Sequence, residues 1–172
     1  MDYLSNEVRA VSGVKNQIGQ FRTYVPDLFY SSDGIYYYPE ETKHQLLRIA
    51  AALHGGAITE CGVYFSAGSL YYAGEATRII AEFEDLFCNG TRKDDLAGGT
   101  FQYPDKLVLT KGKERLILLF NESDVPLKGE LLNYKLTKGQ KARIVGTQNW
   151  IFDSGKMSLT IPAKDVLAIY IK

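Results

Sequence analysis

Glu60 is the residue of this sequence whose surroundings point most directly to chemistry. It lies in the apolar stretch 57–65 (AITECGVYF), where burying a carboxylate is costly without a partner and raises its pKa. A carboxyl group tuned in this way can act as a general acid or base. The alternative is a structural role, in which Glu60 marks the end of a strand or pairs with an arginine.

Tyrosines are the second chemical signal. Nine of the twelve lie within the first 72 residues, with clusters at 36–38 and 71–72. Aromatic faces stack on sugar rings while the hydroxyl group remains free to hydrogen-bond. In an alternating strand Tyr36 and Tyr38 share a face. We therefore expect Tyr36, Tyr38, Tyr64 and Tyr71 to contact a substrate, and the alternative is that these rings fill a core or a protein interface.

Other classes of active site lack the residues they need. The sequence has two histidines, with His44 expected on a solvated helix face and His54 at a helix end. No spaced set of histidines and carboxylates predicts a metal, and we expect no cofactor. The nucleophile motif Gly-x-Ser-x-Gly and the Lys-Ser/Thr ending of a phosphate loop are absent. Cys61 and Cys88 are expected to be small buried residues.

Charge divides the chain into two parts. Residues 1–99 contain 8 Lys and Arg against 13 Asp and Glu, and residues 100–172 contain 12 against 7. The opposite signs favour docking of the two parts on each other. Lysines of the second part occur singly in turn-like sequences, so nucleic acid is not an expected partner. No run approaches the about 20 apolar residues of a membrane helix, and the polar start predicts no signal peptide and a cytoplasmic protein.

Periodicity changes near residue 99. Before it, helical and strand periods alternate, which predicts the order helix, strand, helix, strand, helix. The predicted helices cover 5–25, the segment from Pro39 to the Gly55-Gly56 stop, and 75–87, and the strands cover 35–38 and 57–65. Residues 66–74 are predicted to form a loop because they are rich in small residues.

After a polar junction over 91–103, only short strands and turns are predicted. The strands cover 106–110, 114–121, 127–136, 141–146, 149–152, 157–161 and 166–171. Seven short strands with frequent turn signals indicate a small antiparallel sandwich or barrel.

Two stretches of the second part resemble a known architecture. Residues 114–123 (ERLILLFNES) and 159–170 (LTIPAKDVLAIY) are similar to strands of the C-terminal β-domain that follows the catalytic barrel in many glycoside hydrolases. Residues 33–38 (DGIYYY) and 82–87 (EFEDLF) resemble the last β/α units of the same barrels. The resemblance implies an α/β part followed by an all-β part. The expected domains are partial (β/α) barrel-like units over 1–99 and an antiparallel β-sandwich over 100–172.

The resemblance implies that this chain is the C-terminal portion of a carbohydrate-active hydrolase, with Glu60 as its catalytic candidate. A complete barrel needs eight β/α units over about 250 residues, and only about two are present. The isolated chain is therefore expected to be inactive. Its expected partners are a carbohydrate and either the rest of a barrel or a second copy. The alternative is a non-enzymatic carbohydrate-binding or protein-interaction module that is complete at 172 residues.

Overall fold

The protein is described by a computed structural model over residues 40–52, 67–102, 105–132, 136–137, 139–147, 150–151 and 156–172. The chain divides into two compact units between Cys88 and Asn89. The predicted helix over 5–25 and the predicted strands over 35–38 and 57–65 lie outside the described residues. No described helix is long and apolar enough to cross a membrane.

The first unit is helical where it is described. Its helices are α1 (Glu41–Ala52), α2 (Ala67–Glu82) and α3 (Glu84–Asn89). Helix α1 packs against α2, and each buries an apolar face, which is the usual source of helix stability in a folded protein. The buried apolar side chains are Leu47, Ala50 and Ala51 of α1, Ala76 and Ile79 of α2, and Leu86 and Phe87 of α3.

Helix α2 begins earlier than the sequence predicts. The predicted loop over 66–74 is wrong from Ala67 onward, and Glu75, expected at a helix start, lies inside α2. The prediction failed because each glycine in a helix costs about 1 kcal/mol relative to alanine. Packing of α2 on α1 outweighs that cost, as tertiary contacts commonly do.

Two side chains of the first unit differ in burial from the prediction. His44, expected on a solvated face, is 3% exposed, and its neighbours Thr42 and Lys43 are also buried. The first turn of α1 is thus enclosed on more than the single stripe that a surface helix normally buries. Cys88, expected to be buried, is a half-buried free thiol.

Where the structure describes it, the second unit consists of two antiparallel sheets, which confirms the predicted antiparallel class. Its strands are β1 (Thr91–Arg92), β2 (Gly98–Gly99), β3 (Lys106–Lys111), β4 (Glu114–Phe120), β5 (Leu127–Leu132), β6 (Ala142–Ile144), β7 (Trp150–Ile151), β8 (Lys156–Ile161) and β9 (Val166–Ile171). One sheet has the order β1-β3-β4-β9-β6-β7 and the other β2-β5-β8. A short 3₁₀ helix, Asp94–Leu96, connects β1 to β2.

Both sheets contribute to one buried core. The shorter sheet supplies Leu131, Met157, Leu159 and Ile161, and the longer sheet supplies Val108, Ile117, Leu119, Ala142, Ile169 and Ile171. Strand β8 alternates buried and exposed residues along its length, as expected for a strand with one face on a core. Strand β4 is buried at every residue from Leu116 to Phe120, so both of its faces are covered.

The predicted junction over 91–103 contains two strands that the sequence does not reveal. Thr91 pairs with Thr110 of β3, and Gly98 pairs with Leu132 of β5. Strands of two residues show no side-chain period, so backbone pairing alone marks them. The seven predicted strands all correspond to observed ones within a few residues at their described ends.

Asn121 connects the end of β4 to the turn between β8 and β9. Its side chain is 2% exposed, and Nδ2 donates to the carbonyl oxygens of Val125 at 2.9 Å and Pro162 at 2.8 Å. A third, longer contact of 3.3 Å reaches the carbonyl oxygen of Ile161. Oδ1 accepts from the backbone N–H of Ser123 at 3.0 Å and from its hydroxyl at 2.7 Å. The amide thus uses both its donor and its acceptor atoms to hold two turns together.

Candidate functional site

Of the five side chains that the sequence selects, the structure describes Tyr71. The other four, Glu60, Tyr36, Tyr38 and Tyr64, lie outside the described residues, so their roles stay predictions.

Tyr71 lies near the start of α2 with its ring largely in solvent. The residue is 63% exposed, and the preceding Leu70 is 59% exposed. Its ring centroid is 5.1 Å from that of Tyr72, at an interplanar angle of 83°. This edge-to-face geometry is one that aromatic pairs favour, because the ring edge is positive and the ring face negative. Contact with Tyr72 therefore favours one orientation of an exposed ring.

The charged side chains that follow this tyrosine pair in sequence form ion pairs with one another on α2. Residues 67–74 contain no charged side chain. Arg78 lies 3.6 Å from Glu75 and 4.0 Å from Glu82, at the three- and four-residue spacings that bring side chains together on a helix. Thr77 donates its hydroxyl proton to the carbonyl oxygen of Ala73 at 2.8 Å. Residues 67–74 of α2 thus contribute no charge of their own.

Lys106 is a buried charged residue that sequence analysis did not select. Its ammonium group donates to the carbonyl oxygen of Ala97, and the residue is 4% exposed. The contact ties β3 to the backbone just before β2, which indicates a structural role. The sequence does not reveal this burial, because a lysine at the start of a strand is normally expected in solvent.

Metal-binding chemistry has no support in the described ranges. Nowhere in them do three or more His, Cys, Asp or Glu side chains come together in a way that could hold an ion. Asp94 is engaged instead in the fold, where its carboxylate accepts from the guanidinium group of Arg92 at 2.6 and 2.8 Å and from the backbone N–H of Val108 at 2.9 Å.

No protein-family model matches this sequence, and no curated protein matches it either. Solved structures do match in fold. The α-amylase from Geobacillus thermoleovorans is 11% identical, with a TM-score of 0.53 over 81% of this chain and 35% of its own. The α-galactosidase I from Mortierella vinacea is 14% identical, with a TM-score of 0.50 over 84% and 38%. A GH30 endoxylanase from Clostridium papyrosolvens is 10% identical, with a TM-score of 0.50 over 95% and 45%.

Sequence identities of 10–14% are too low to transfer an activity from one protein to another, so these matches establish the fold alone. The chain spans between about a third and just under half of the length of each of these three solved chains. The described fold is therefore similar to a part of several glycoside hydrolases.

Proposed function

We propose that this chain is the C-terminal portion of a glycoside hydrolase: the end of a β/α barrel over 1–99 followed by a β-sandwich over 100–172. The observation that supports this most is the partial coverage. Most of this chain matches glycoside hydrolases of several kinds, and it matches less than half of each. The order of helices followed by two antiparallel sheets agrees with it.

The proposed reaction is acid/base hydrolysis of a glycosidic bond. Such enzymes place two carboxyl groups on either side of that bond. In a β/α barrel the catalytic residues lie at the C-terminal ends of the strands. Glu60 would supply one carboxyl group from there. The side chains that would contact the sugar are Tyr36, Tyr38, Tyr64 and Tyr71. The earlier β/α units would supply the second carboxyl group, so the isolated chain would not turn over substrate.

The substrate class follows from the proposal and is carbohydrate. The α-amylase that this chain resembles in fold was solved in a complex with acarbose, and the other two are an α-galactosidase and an endoxylanase. The names of these three enzymes refer to different sugars and linkages. The proposal therefore extends to a glycoside and not to one particular bond.

The test begins with the source DNA immediately upstream of the Met1 codon. A reading frame that continues upstream through several hundred codons of β/α pattern supports the proposal, and the longer protein is then assayed on aryl glycosides. There, Glu60→Gln should reduce kcat by at least about 100-fold, the usual contribution of a general acid or base. A matched carboxylate control is Glu130→Gln, since Glu130 lies 2.6 Å from Lys156 in an ion pair on the shorter sheet.

Two results would contradict the proposal. One is a stop codon and ribosome-binding signal directly before Met1, which would instead favour a binding module complete at 172 residues. The other is a longer protein in which Glu60→Gln and Glu130→Gln have the same turnover as the unmodified enzyme. Turnover by the isolated 172-residue chain would refute the part of the proposal that requires the missing units.

A further inference from the structure

We propose that one end of the longer sheet, which we call the basic rim, binds an acidic polysaccharide chain. The rim consists of the cations Lys111, Lys113, Lys141, Arg143 and Lys172 together with one carboxylate, Glu114. The choice of a polysaccharide among polyanions rests on the proposed function. The rim itself rests on the strand register and on the charge of these side chains.

The strand register brings residues that are scattered in sequence into one row. Lys111 of β3 lies opposite Glu114 of β4. Strands β4 and β9 are paired up to Ile171, so the next position of that ladder places Lys172 beside Glu114. Lys172 and Lys141, just before β6, exchange two backbone hydrogen bonds of 2.9 Å. Directly opposite residues share a face of a sheet, so these side chains form a row about 14 Å long across four strand ends.

Two further cations extend this row. Arg143 pairs with Tyr170, two residues further along each strand and therefore on the same face. Its guanidinium carbon lies 5.6 Å from the centroid of the Tyr170 ring, a distance at which a cation is attracted to an aromatic face. Lys113 is exposed in the turn between β3 and β4, and its carbonyl oxygen accepts from Nε2 of Gln140 at 2.6 Å. That hydrogen bond ties the hairpin turn to the turn before β6.

Charge is polarised between the two ends of this sheet. The rim has five cations against one carboxylate, a net charge of +4, which the terminal carboxylate of the 172-residue chain reduces to +3. The opposite end holds Asp105, Glu122, Asp124 and Asp165 against Lys164 and the buried Lys106, a net charge of −2. A polyanion is therefore attracted to the rim and repelled by the other end.

The surface of the rim favours a charged polymer over other partners. Removing an ammonium group from water is costly unless it is paired, so a face with this charge excess suits apolar packing poorly. Among the described residues of the second unit, the exposed large apolar side chain is Val125, which lies at the opposite end and so provides no anchor in a lipid surface here.

Nucleic acid is disfavoured by the same surface. Single-stranded nucleic acids bind with their bases stacked on exposed rings, and the ring beside the rim, Tyr170, is 9% exposed. A polysaccharide with carboxylates on successive sugars needs cations along a row, which bind carboxylates through charge-assisted hydrogen bonds. The basic rim supplies such a row.

The experiment titrates the 172-residue chain with polygalacturonate, a polymer of carboxylated sugars, in a calorimeter. Polygalacturonate should bind at low ionic strength and bind more weakly as salt is raised, because added ions screen exposed charges. Lys113→Gln combined with Lys172→Gln should weaken binding about fivefold, the size expected when two exposed ion pairs are lost. Arginine at the same two positions keeps the charge and should keep the affinity within about twofold.

The matched control is Lys128→Gln combined with Lys156→Gln, which removes two exposed lysines from the shorter sheet. Its net charge equals that of the glutamine variant of the rim, and its affinity should stay within about twofold of the unmodified chain. Urea unfolding of each variant checks that the second unit remains folded.

Three outcomes would overturn the inference. One is no binding of polygalacturonate by the unmodified chain at low ionic strength, and another is the same affinity for the rim variant and the control variant. The third is tighter binding of double-stranded DNA or of phosphatidylserine vesicles than of polygalacturonate at the same salt. None of these depends on Glu60 or on the upstream reading frame, so a failed rim leaves the proposed hydrolase to its own test. Conversely, a hydrolase disproved at Glu60 leaves the measured binding intact.

Discussion

Asn121 provides the sharpest test of how the second unit is held together. Its buried amide donates to the carbonyl oxygens of Val125 and Pro162 and accepts two hydrogen bonds from Ser123. Asn121→Ala removes all of these bonds and leaves their partners to find water. Asn121→Asp keeps the shape but replaces the donor with an acceptor that faces two carbonyl oxygens.

The expected magnitude follows from the number of bonds and their exposure. Each intramolecular hydrogen bond contributes about 0.5–1.5 kcal/mol net, so the four short ones set a ceiling of about 6 kcal/mol by that same measure. Ser123, Val125 and Pro162 are exposed, so water replaces much of the loss. We therefore expect Asn121→Ala to lower the free energy of unfolding by about 2–3 kcal/mol, and Asn121→Asp by at least as much.

Urea unfolding measures this change through the single tryptophan. Trp150 lies on β7 of the second unit, so its fluorescence reports on the unit that contains Asn121. With a slope near 1 kcal/mol/M for a unit of this size, the midpoint should fall by about 2–3 M. Ser123→Ala is the matched control, because it removes a hydroxyl from the same network at an exposed position and should cost less than about 1 kcal/mol. The reasoning would be refuted if the urea midpoints of Asn121→Ala and Asn121→Asp both equalled that of the Ser123→Ala control within error.

Three glycines give predictions of different size. Gly129→Ala places a Cβ 2.6 Å from the buried ring of Phe101, so the ring must shift and the second unit should lose about 1–3 kcal/mol in the same urea assay. Gly99→Ala should cost more, because Gly99 has φ of +117° and its Cβ would meet the backbone of Glu130; an unchanged midpoint would show that β2 can move away. Gly74→Ala meets nothing within 4 Å, and alanine favours a helix over glycine by up to about 1 kcal/mol. The variant should therefore melt at a higher temperature when unfolding is measured by circular dichroism, and a lower melting temperature would contradict the prediction.

The sequence predicted the strands of the second unit well because two independent signals agree there. Apolar runs mark the strands, and turn residues separate them. Gly112 between β3 and β4 has φ of +59°, a backbone region that glycine adopts at little cost. The pairing of Lys111 with Glu114 closes that hairpin. Where a strand is too short to show a side-chain pattern, as in β1 and β2, neither signal exists and the prediction failed.

The first unit was harder to predict because one local signal opposed the packing. Glycines in the segment before Glu75 favour a loop by intrinsic propensity, and the contact of α2 with α1 decides otherwise. The exposure of Tyr71 and the burial of His44 likewise do not follow from the local sequence. A hydrophobic period locates a helix face, but it does not reveal which neighbours enclose the first turn. The site prediction, which depends on such placement, was therefore less determined than the strands.

The two stretches of the second part that carry the resemblance lie next to each other in the longer sheet. Strands β4 and β9 are neighbours in register, with Phe120 opposite Val166, and Asn121 bonds to the carbonyl oxygen of Pro162 in the turn that leads into β9. The spacing Asn121-x-Ser123 that would also suit glycosylation is used here for a hydrogen-bonded turn. Each of these residues is explained by packing or by backbone hydrogen bonds, without any reference to a substrate. A fold can therefore be similar at 10–14% identity between this chain and hydrolases of different specificity, and any activity has to be tested directly at the candidate residues Glu60 and Tyr71.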